Sequence, residues 1–198
     1  MGYVRIFPRS WPDKQDEEQR ADFVKKLDEL KENPEVEIWF QDECGVMGDP
    51  KPRRVIAKKG TRLRIGYTGK HFKDNVLGAV RPSDGKFFSL IMPFVNTQIF
   101  QLFIDEMQNH IGNKKAVLIL DNASWHKTRS LNWGSITPVF LSPYSPDFNP
   151  IERIWLVLKK SFFSTFFAKT HDELTERLES ALRYFIHNPE VCKSICGG

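Results

Sequence analysis

No stretch of the 198 residues is apolar over the roughly 20 positions a bilayer-crossing helix needs. The opening MGYVRIFPRSWP lacks the apolar block of a secretory leader. Cysteine is scarce: Cys44, Cys192 and Cys196 are odd in number and scattered, which fits a reducing cytoplasm better than a disulfide framework. Cys192 and Cys196 have no second Cys or His pair at zinc-ligand spacing. Internal repeats and low-complexity tracts are absent too, which sets aside solenoid and linker architectures. With 40% hydrophobic and 27% charged residues, the chain has ordinary globular usage, and its length fits one domain with a substantial core.

One absence is local. From Lys51 to Lys73 there is no Asp or Glu, yet the segment holds nine Lys and Arg residues, among them Arg53, Arg54, Lys58, Lys59, Arg62 and Arg64. The whole chain carries 29 Lys/Arg against 25 Asp/Glu, so setting those nine aside leaves an acidic excess of five. The basic character is concentrated where it can meet a polyanion. A solvated hairpin whose lysines discourage edge pairing is the alternative for the same residues.

In chain order, Asp13 to Lys31 has helical apolar spacing and stops at Asn33-Pro34. EVEIWFQDE then alternates as a strand, with Val36, Ile38, Phe40 and Asp42 on one face, Asp42 at its end and Glu43 on the other face. The basic segment reads as loop, strand (RRVIA), turn (KKG) and strand (TRLRIGY). DNVLGAVRP and KFFSLIMPF are antiparallel neighbours around the turn Ser83-Asp84-Gly85. Thr97 to Ile111 is a helix stopped by Gly112-Asn113. The wholly apolar AVLIL reads as a strand covered on both faces, in a central parallel position, and it stops at Asp121-Asn122. Sites in open α/β sheets lie beyond the carboxyl ends of strands, although Asp-Asn is also ordinary turn chemistry. ITPVFL is a further short strand, and His171 to Asn188 is a last amphipathic helix. Meandering strands followed by alternating strand and helix describe a mixed sheet flanked by helices.

The stretch SPYSPDFNPIERIW, Ser142 to Trp155, has three prolines in nine residues and then turns into a helix. Asn149 suits the N-cap and Pro150 the first helical position, with Ile151, Ile154, Trp155, Leu158 and Phe162 at helical spacing behind them. Glu152, three residues after Asn149, is placed either as the partner in a capping box or as a carboxylate delivered to a fixed point beside the core.

Asp42, Asp121 and Glu152 together form an oxygen-only donor set, the kind suited to Mg²⁺ or Mn²⁺. Two such ions roughly 4 Å apart serve in-line displacement at phosphorus. The blocks WFQDE, LILDNASWHK and SPYSPDFNPIERIW, in this order, resemble the catalytic blocks of DDE-type transposases of the mariner-like superfamily, specifically the bacterial insertion-sequence branch. The resemblance runs from about Glu35 to Lys160, and the third block is its most specific part. It implies an α/β, RNase H-like fold with a mixed five-stranded sheet flanked by helices. Residues 35–198 would form the catalytic domain, with a basic loop insertion at 44–60 that holds DNA and helps to join subunits, and residues 1–34 a lead-in and helix.

By position, the resemblance makes Asp42, Asp121 and Glu152 the catalytic, metal-binding triad for a two-metal Mg²⁺ or Mn²⁺ site, with Asn122 and His126 beside it in support or in the turn. It assigns Arg53, Arg54, Lys58, Lys59, Arg62 and Arg64 to DNA contact. One departure stands out: Ile56 occupies a position where the family often has Trp. Glu152 ends the triad as in the bacterial branch, whereas animal members commonly end it in Asp. The implied activity is metal-dependent DNA cleavage and strand transfer at element ends. The implied partners are double-stranded DNA, a second copy in a homodimer and a separate helix-turn-helix subunit, because only one amphipathic helix precedes the first catalytic strand. The setting would be the bacterial cytoplasm, on the nucleoid. A DNA-binding remnant without catalysis and a nuclease that cuts without joining stay open as alternatives.

Overall fold

In the computed structural model, residues 16–49, 56, 58–62, 64 and 69–197 are described. A five-stranded sheet in the order β3-β2-β1-β4-β5 is the frame. Its strands are β1 (Val36–Met47), β2 (Lys73–Arg81), β3 (Lys86–Met92), β4 (Lys115–Leu120) and β5 (Ile136–Phe140). β1, β2 and β3 meander antiparallel, while β4 and β5 run parallel to β1. The mixed sheet is the one the order of apolar patterns calls for. AVLIL is the core of β4, and Pro138 sits on the edge strand β5, where the missing N–H costs least.

Strand alternation splits the core in two. On one face Trp39, Leu77, Ala79 and Leu118 pack under α2 (Thr97–Ile111), through Phe100, Phe103, Ile104 and Met107. On the other, Phe40, Cys44, Val76, Val80 and Ile119 lie under α1 (Glu17–Lys31), α3 (Ile151–Val157), α4 (His171–His187) and α5 (Pro189–Cys196). Both helix ends of α2 fall where the sequence puts them. Asn96 accepts from Ile99 N–H, and Gly112 takes φ 69 to end the helix.

Several boundaries differ from the sequence expectation. α1 begins at Glu17, because Asp16 caps it by accepting from the N–H groups of Glu18 and Gln19; Asp13 lies outside the described residues. β1 does not stop at Glu43 but continues to Met47, so Cys44–Met47 of the expected loop are strand, and Asp42 lies within β1. Gly45 and its neighbours stay extended because β2 pairs with them, Gly45 opposite Asn75. Thr61, Arg62 and Arg64 are not in a strand, so the expected strand TRLRIGY is not formed at the residues described. RRVIA lies outside the described residues but for Ile56. The turn between them is present, Thr61 N–H bonding to Lys58 O with Gly60 at φ 89. α5 has no counterpart in the sequence reading. It starts at Pro189, straight after the last residue of α4 and its Asn188 cap. No described helix is long and apolar enough to cross a membrane.

α1 is a clamp on the proline-rich loop before α3. Phe23 stacks on Phe148 with ring centroids 5.4 Å apart, and the Arg20 guanidinium lies 4.2 Å over the same ring. Arg20 also forks onto Asp147 at 3.1 and 2.7 Å and donates to Ser145 Oγ at 2.8 Å. That hydrogen bond to Arg20 holds the Asp147 carboxyl below the usual carboxylate range. The stabilisation from this pair is therefore present above about pH 4 and is lost as pH falls through the lower folded value. Arg20→Ala should cost about 1–2 kcal/mol in urea unfolding near neutral pH. The cost should shrink on acidification below the carboxylate range; a cost independent of pH would rule out the ion pair as its source.

Candidate active site

β4 ends one residue before Asp121, and its register with β1 pairs Phe40 with Ile119 as the last rung. Two residues further along each strand come Asp42 and Asp121. Because β1 continues where β4 stops, the two carboxylates reach the same level at the carboxyl ends of parallel neighbours, where sites form in such sheets. The third acid arrives from the far side of the sequence, on the first turn of α3. Asp42, Asp121 and Glu152 line one cleft of about 400 Å³, together with Asn122, Tyr144 and Asn149. Among the described residues no group of three His, Cys, Asp or Glu side chains is drawn tightly enough to hold an ion as it stands. Repulsion between like charges opposes any closer approach.

The capping box is not formed. Asn149 turns its amide away from the helix and donates through Nδ2 to Gln41 O at 2.9 Å, 108 residues back in the chain. Its Oδ1 is buried without a hydrogen-bond partner among the described residues. The helix start is instead fastened to β1, one residue before Asp42. Glu152 N–H bonds to the backbone oxygen of Asn149 at 3.2 Å, and the exposed Glu152 side chain faces the cleft. A second fastening runs from Asn122 Nδ2 to Leu141 O at 2.6 Å, tying the end of β4 to the start of the proline-rich loop. Within that loop Tyr144 has φ 57, a left-handed conformation that costs a non-glycine residue about 1–2 kcal/mol. Strain of this kind persists only where surrounding contacts over-determine the backbone.

Glu43 points to the opposite face from Asp42, as alternation requires, and meets His126 there. The buried imidazole stands between two acids, Nε2 3.0 Å from Glu43 Oε1 and Nδ1 2.9 Å from Asp121 Oδ1, with Phe100 packed 4.3 Å from its centre. Burial works against its charge, but the ion pair with Asp121 and the hydrogen bond to Glu43 outweigh it and push His126 up to about 9. The same ion pair holds Asp121 below the usual carboxylate range. Asp42 is shifted the other way. Burial first, then the charges of Glu152, Glu43 and Asp121, raise it to about 7. The Trp155 indole Nε1 donates to its Oδ2 at 3.1 Å.

Of the residues expected to touch DNA, Lys58, Lys59, Arg62 and Arg64 are exposed, while Arg53 and Arg54 lie outside the described residues. Ile56, where the resembling family often carries Trp, is fully exposed. The links through Gln41 and Trp155 were not foreseen. Trp155 gave one available signal, since it follows Glu152 by three residues and so shares its helix face.

A family model described as "DDE superfamily endonuclease" matches residues 37–175. A Sinorhizobium fredii protein named "Uncharacterized protein y4pE/y4sA" is 33% identical over 122 residues, covering 61% of this chain and 90% of that one. Among solved structures, the Mos1 transposase paired-end complex with left transposon end superposes with TM-score 0.66 at 15% identity, over 100% of this chain and 68% of that chain. The mariner Mos1 paired end complex with Mg gives 0.63 at 16%, over 100% and 68%. The catalytic domain of Mos1 mariner transposase gives 0.55 at 14%, over 97% and 98%. At these identities the superpositions establish a shared fold, the RNase H-like arrangement of sheet and helices.

An unneutralised carboxylate raised to about 7 destabilises the folded chain at neutral pH. The unfolded chain gives up that proton in the usual carboxylate range and the folded chain holds it longer, so stability falls as pH rises between the two. With EDTA present, Asp42→Asn, which keeps an acceptor for Trp155, should stabilise the protein by on the order of 1–3 kcal/mol at about pH 8. The gain should disappear near about pH 4. Equal stability of the two proteins at the higher pH would contradict the burial penalty.

Proposed function

From membership of the DDE superfamily endonucleases, the family to which this chain belongs, we propose that it is a transposase catalytic domain that cuts and joins DNA strands at the ends of a transposable element. The observation that carries this reading is the convergence of Asp42, Asp121 and Glu152 on one cleft, with α3 fastened to β1 by Asn149 rather than capped by it. The donors fit Mg²⁺ or Mn²⁺. All three are hard carboxylate oxygens, and the burial and then the crowding of charge that raise Asp42 are what a divalent cation would relieve. Bound there, a metal pair would supply the Lewis acidity that activates the attacking oxygen and stabilises the leaving one at phosphorus.

The chain's own groups do the rest. Charged His126 keeps Asp121 ionised and turned, and Ala123 N–H holds the same Oδ1 at 2.9 Å. Asn149 sets the distance from Glu152 to β1. No side chain has to act as a covalent nucleophile. Water cleaves a phosphodiester at the element end, and the freed 3′-hydroxyl then attacks a target phosphodiester in the same cleft, releasing the target's own 3′ end. The exposed Lys58, Lys59, Arg62 and Arg64 neutralise phosphates of the bound duplex.

Glu at position 152 supports the insertion-sequence branch in particular. On this reading the working species is a homodimer spanning two element ends in the bacterial cytoplasm, and a helix-turn-helix partner reads the end sequence.

Asp121→Ala should remove Mg²⁺- or Mn²⁺-dependent nicking of element-end DNA while leaving a cooperative thermal transition. It should also remove joining of a pre-cut 3′-hydroxyl end to target DNA. Nicking at the wild-type rate by that variant would reject the assignment, and nicking without any joining by the wild-type protein would reduce the function to a nuclease. Replacing Lys58, Lys59, Arg62 and Arg64 together by Ala should weaken duplex binding and make the slope of log affinity against log salt shallower by roughly 3 to 4. An unchanged slope would place the DNA elsewhere.

A further inference from the structure

Glu152 and Trp155 are three residues apart on α3; the first lines the acidic cleft of the proposed function with its carboxylate, and the second donates a hydrogen bond to Asp42, which lines the same cleft. Trp155 is 2% exposed, and its ring is set edge-on against Phe87, with centroids 5.9 Å apart. What lets it lie so close to the sheet is a missing side chain. Gly78 of β2 is the direct pairing partner of Asp42, on the same face. A Cβ placed on Gly78 would stand 2.5 Å from Trp155 Cη2 and 2.8 Å from Cζ2, closer than any real contact. Backbone conformation does not demand glycine there, since Gly78 is not among the residues with positive φ. The indole therefore lies across the position opposite Asp42, and its Nε1 comes to 3.1 Å from Asp42 Oδ2.

We infer that Trp155 is a positioning residue for the cation site: its N–H immobilises one oxygen of Asp42 and so aims the other into the cleft, and Gly78 is the space that makes this possible. A carboxylate that swings freely loses entropy when it grips an ion; one already held by an N–H loses less, and fixing the orientation of a ligating group in this way typically changes metal affinity 10–100-fold. A tryptophan that merely fills the core would also bury its ring and find some acceptor for its N–H. The two roles separate on metal binding, because a core-filling ring has no bearing on the geometry of Asp42 Oδ1.

The inference rests on the metal-site reading, and full-length protein tests the two separately. In a calorimetric Mn²⁺ titration, Trp155→Phe keeps a ring over Gly78 without the N–H and should weaken binding 10–100-fold while the protein still unfolds cooperatively. Gly78→Ala, which displaces the indole and touches no acid, should weaken it similarly. In EDTA, the indole ¹H–¹⁵N resonance that Trp155→Phe deletes should move in Asp42→Ala. Wild-type Mn²⁺ affinity in Trp155→Phe, or an indole resonance indifferent to Asp42→Ala, overturns the positioning role and leaves the metal site standing. If the phenylalanine variant does not fold, the Mn²⁺ affinity of Gly78→Ala decides: a wild-type value overturns the positioning role. Absence of Mn²⁺ binding by the wild-type chain overturns the metal site, and the positioning role with it.

Discussion

Like charges must be kept close together in this protein, and most of its unusual features follow from that requirement. Three carboxylates share a cleft, and Asp42, the one largely desolvated, is raised to about 7 by its burial first and then by the charges of Glu152, Glu43 and Asp121. Left to itself, such a cluster would spread or protonate. It is held by neighbours that have little freedom of their own: a buried imidazole between Asp121 and Glu43, an asparagine amide on the backbone of β1, and an indole on Asp42. Under the proposed metal-site reading, a divalent cation would offset this cost to the folded chain on binding, in keeping with active sites that are built against stability.

The fold supplies the leverage. β1 is the one strand that contributes to both halves of the sheet, antiparallel to β2 and parallel to β4. It extends past the end of β4, which puts Asp42 beside Asp121 rather than under another strand. The two cores work on opposite sides of the same strand. Phe100 of α2 supports His126 from one face, and Trp155 of α3 reaches Asp42 from the other. α1 then pins the proline-rich loop through Phe148 and Asp147. A change in either core thus has a short path to the carboxylates.

The sequence was most legible where local physics decides the outcome. α2 has its asparagine cap and glycine stop, β4 its unbroken apolar run, and both lie within a residue of their expected places. Asp121 and Glu152 could be picked out because each sits at an element boundary that the pattern reveals. What could not be read were choices made over long range. Asn149 had a good local use as a cap, yet its side-chain amide Nδ2 donates instead to a backbone oxygen 108 residues away. Asp42 looked like a strand end because Gly45 and Gly48 follow it, and only pairing with β2 keeps that segment extended. Gly78 read as one more strand residue; its meaning depends on a ring brought in from α3. The short α5 was lost because an eight-residue helix carries little periodicity.

Family membership places the chain among DDE superfamily endonucleases, and the chemistry proposed for it requires that the three carboxylates grip the same ions. Crystals soaked in Mn²⁺ and measured at the manganese absorption edge answer this directly. The expected result is anomalous density in the cleft, within roughly 2.0–2.3 Å of oxygens from Asp42, Asp121 and Glu152. Manganese bound elsewhere, or a cleft that stays without anomalous density at millimolar Mn²⁺, would contradict it.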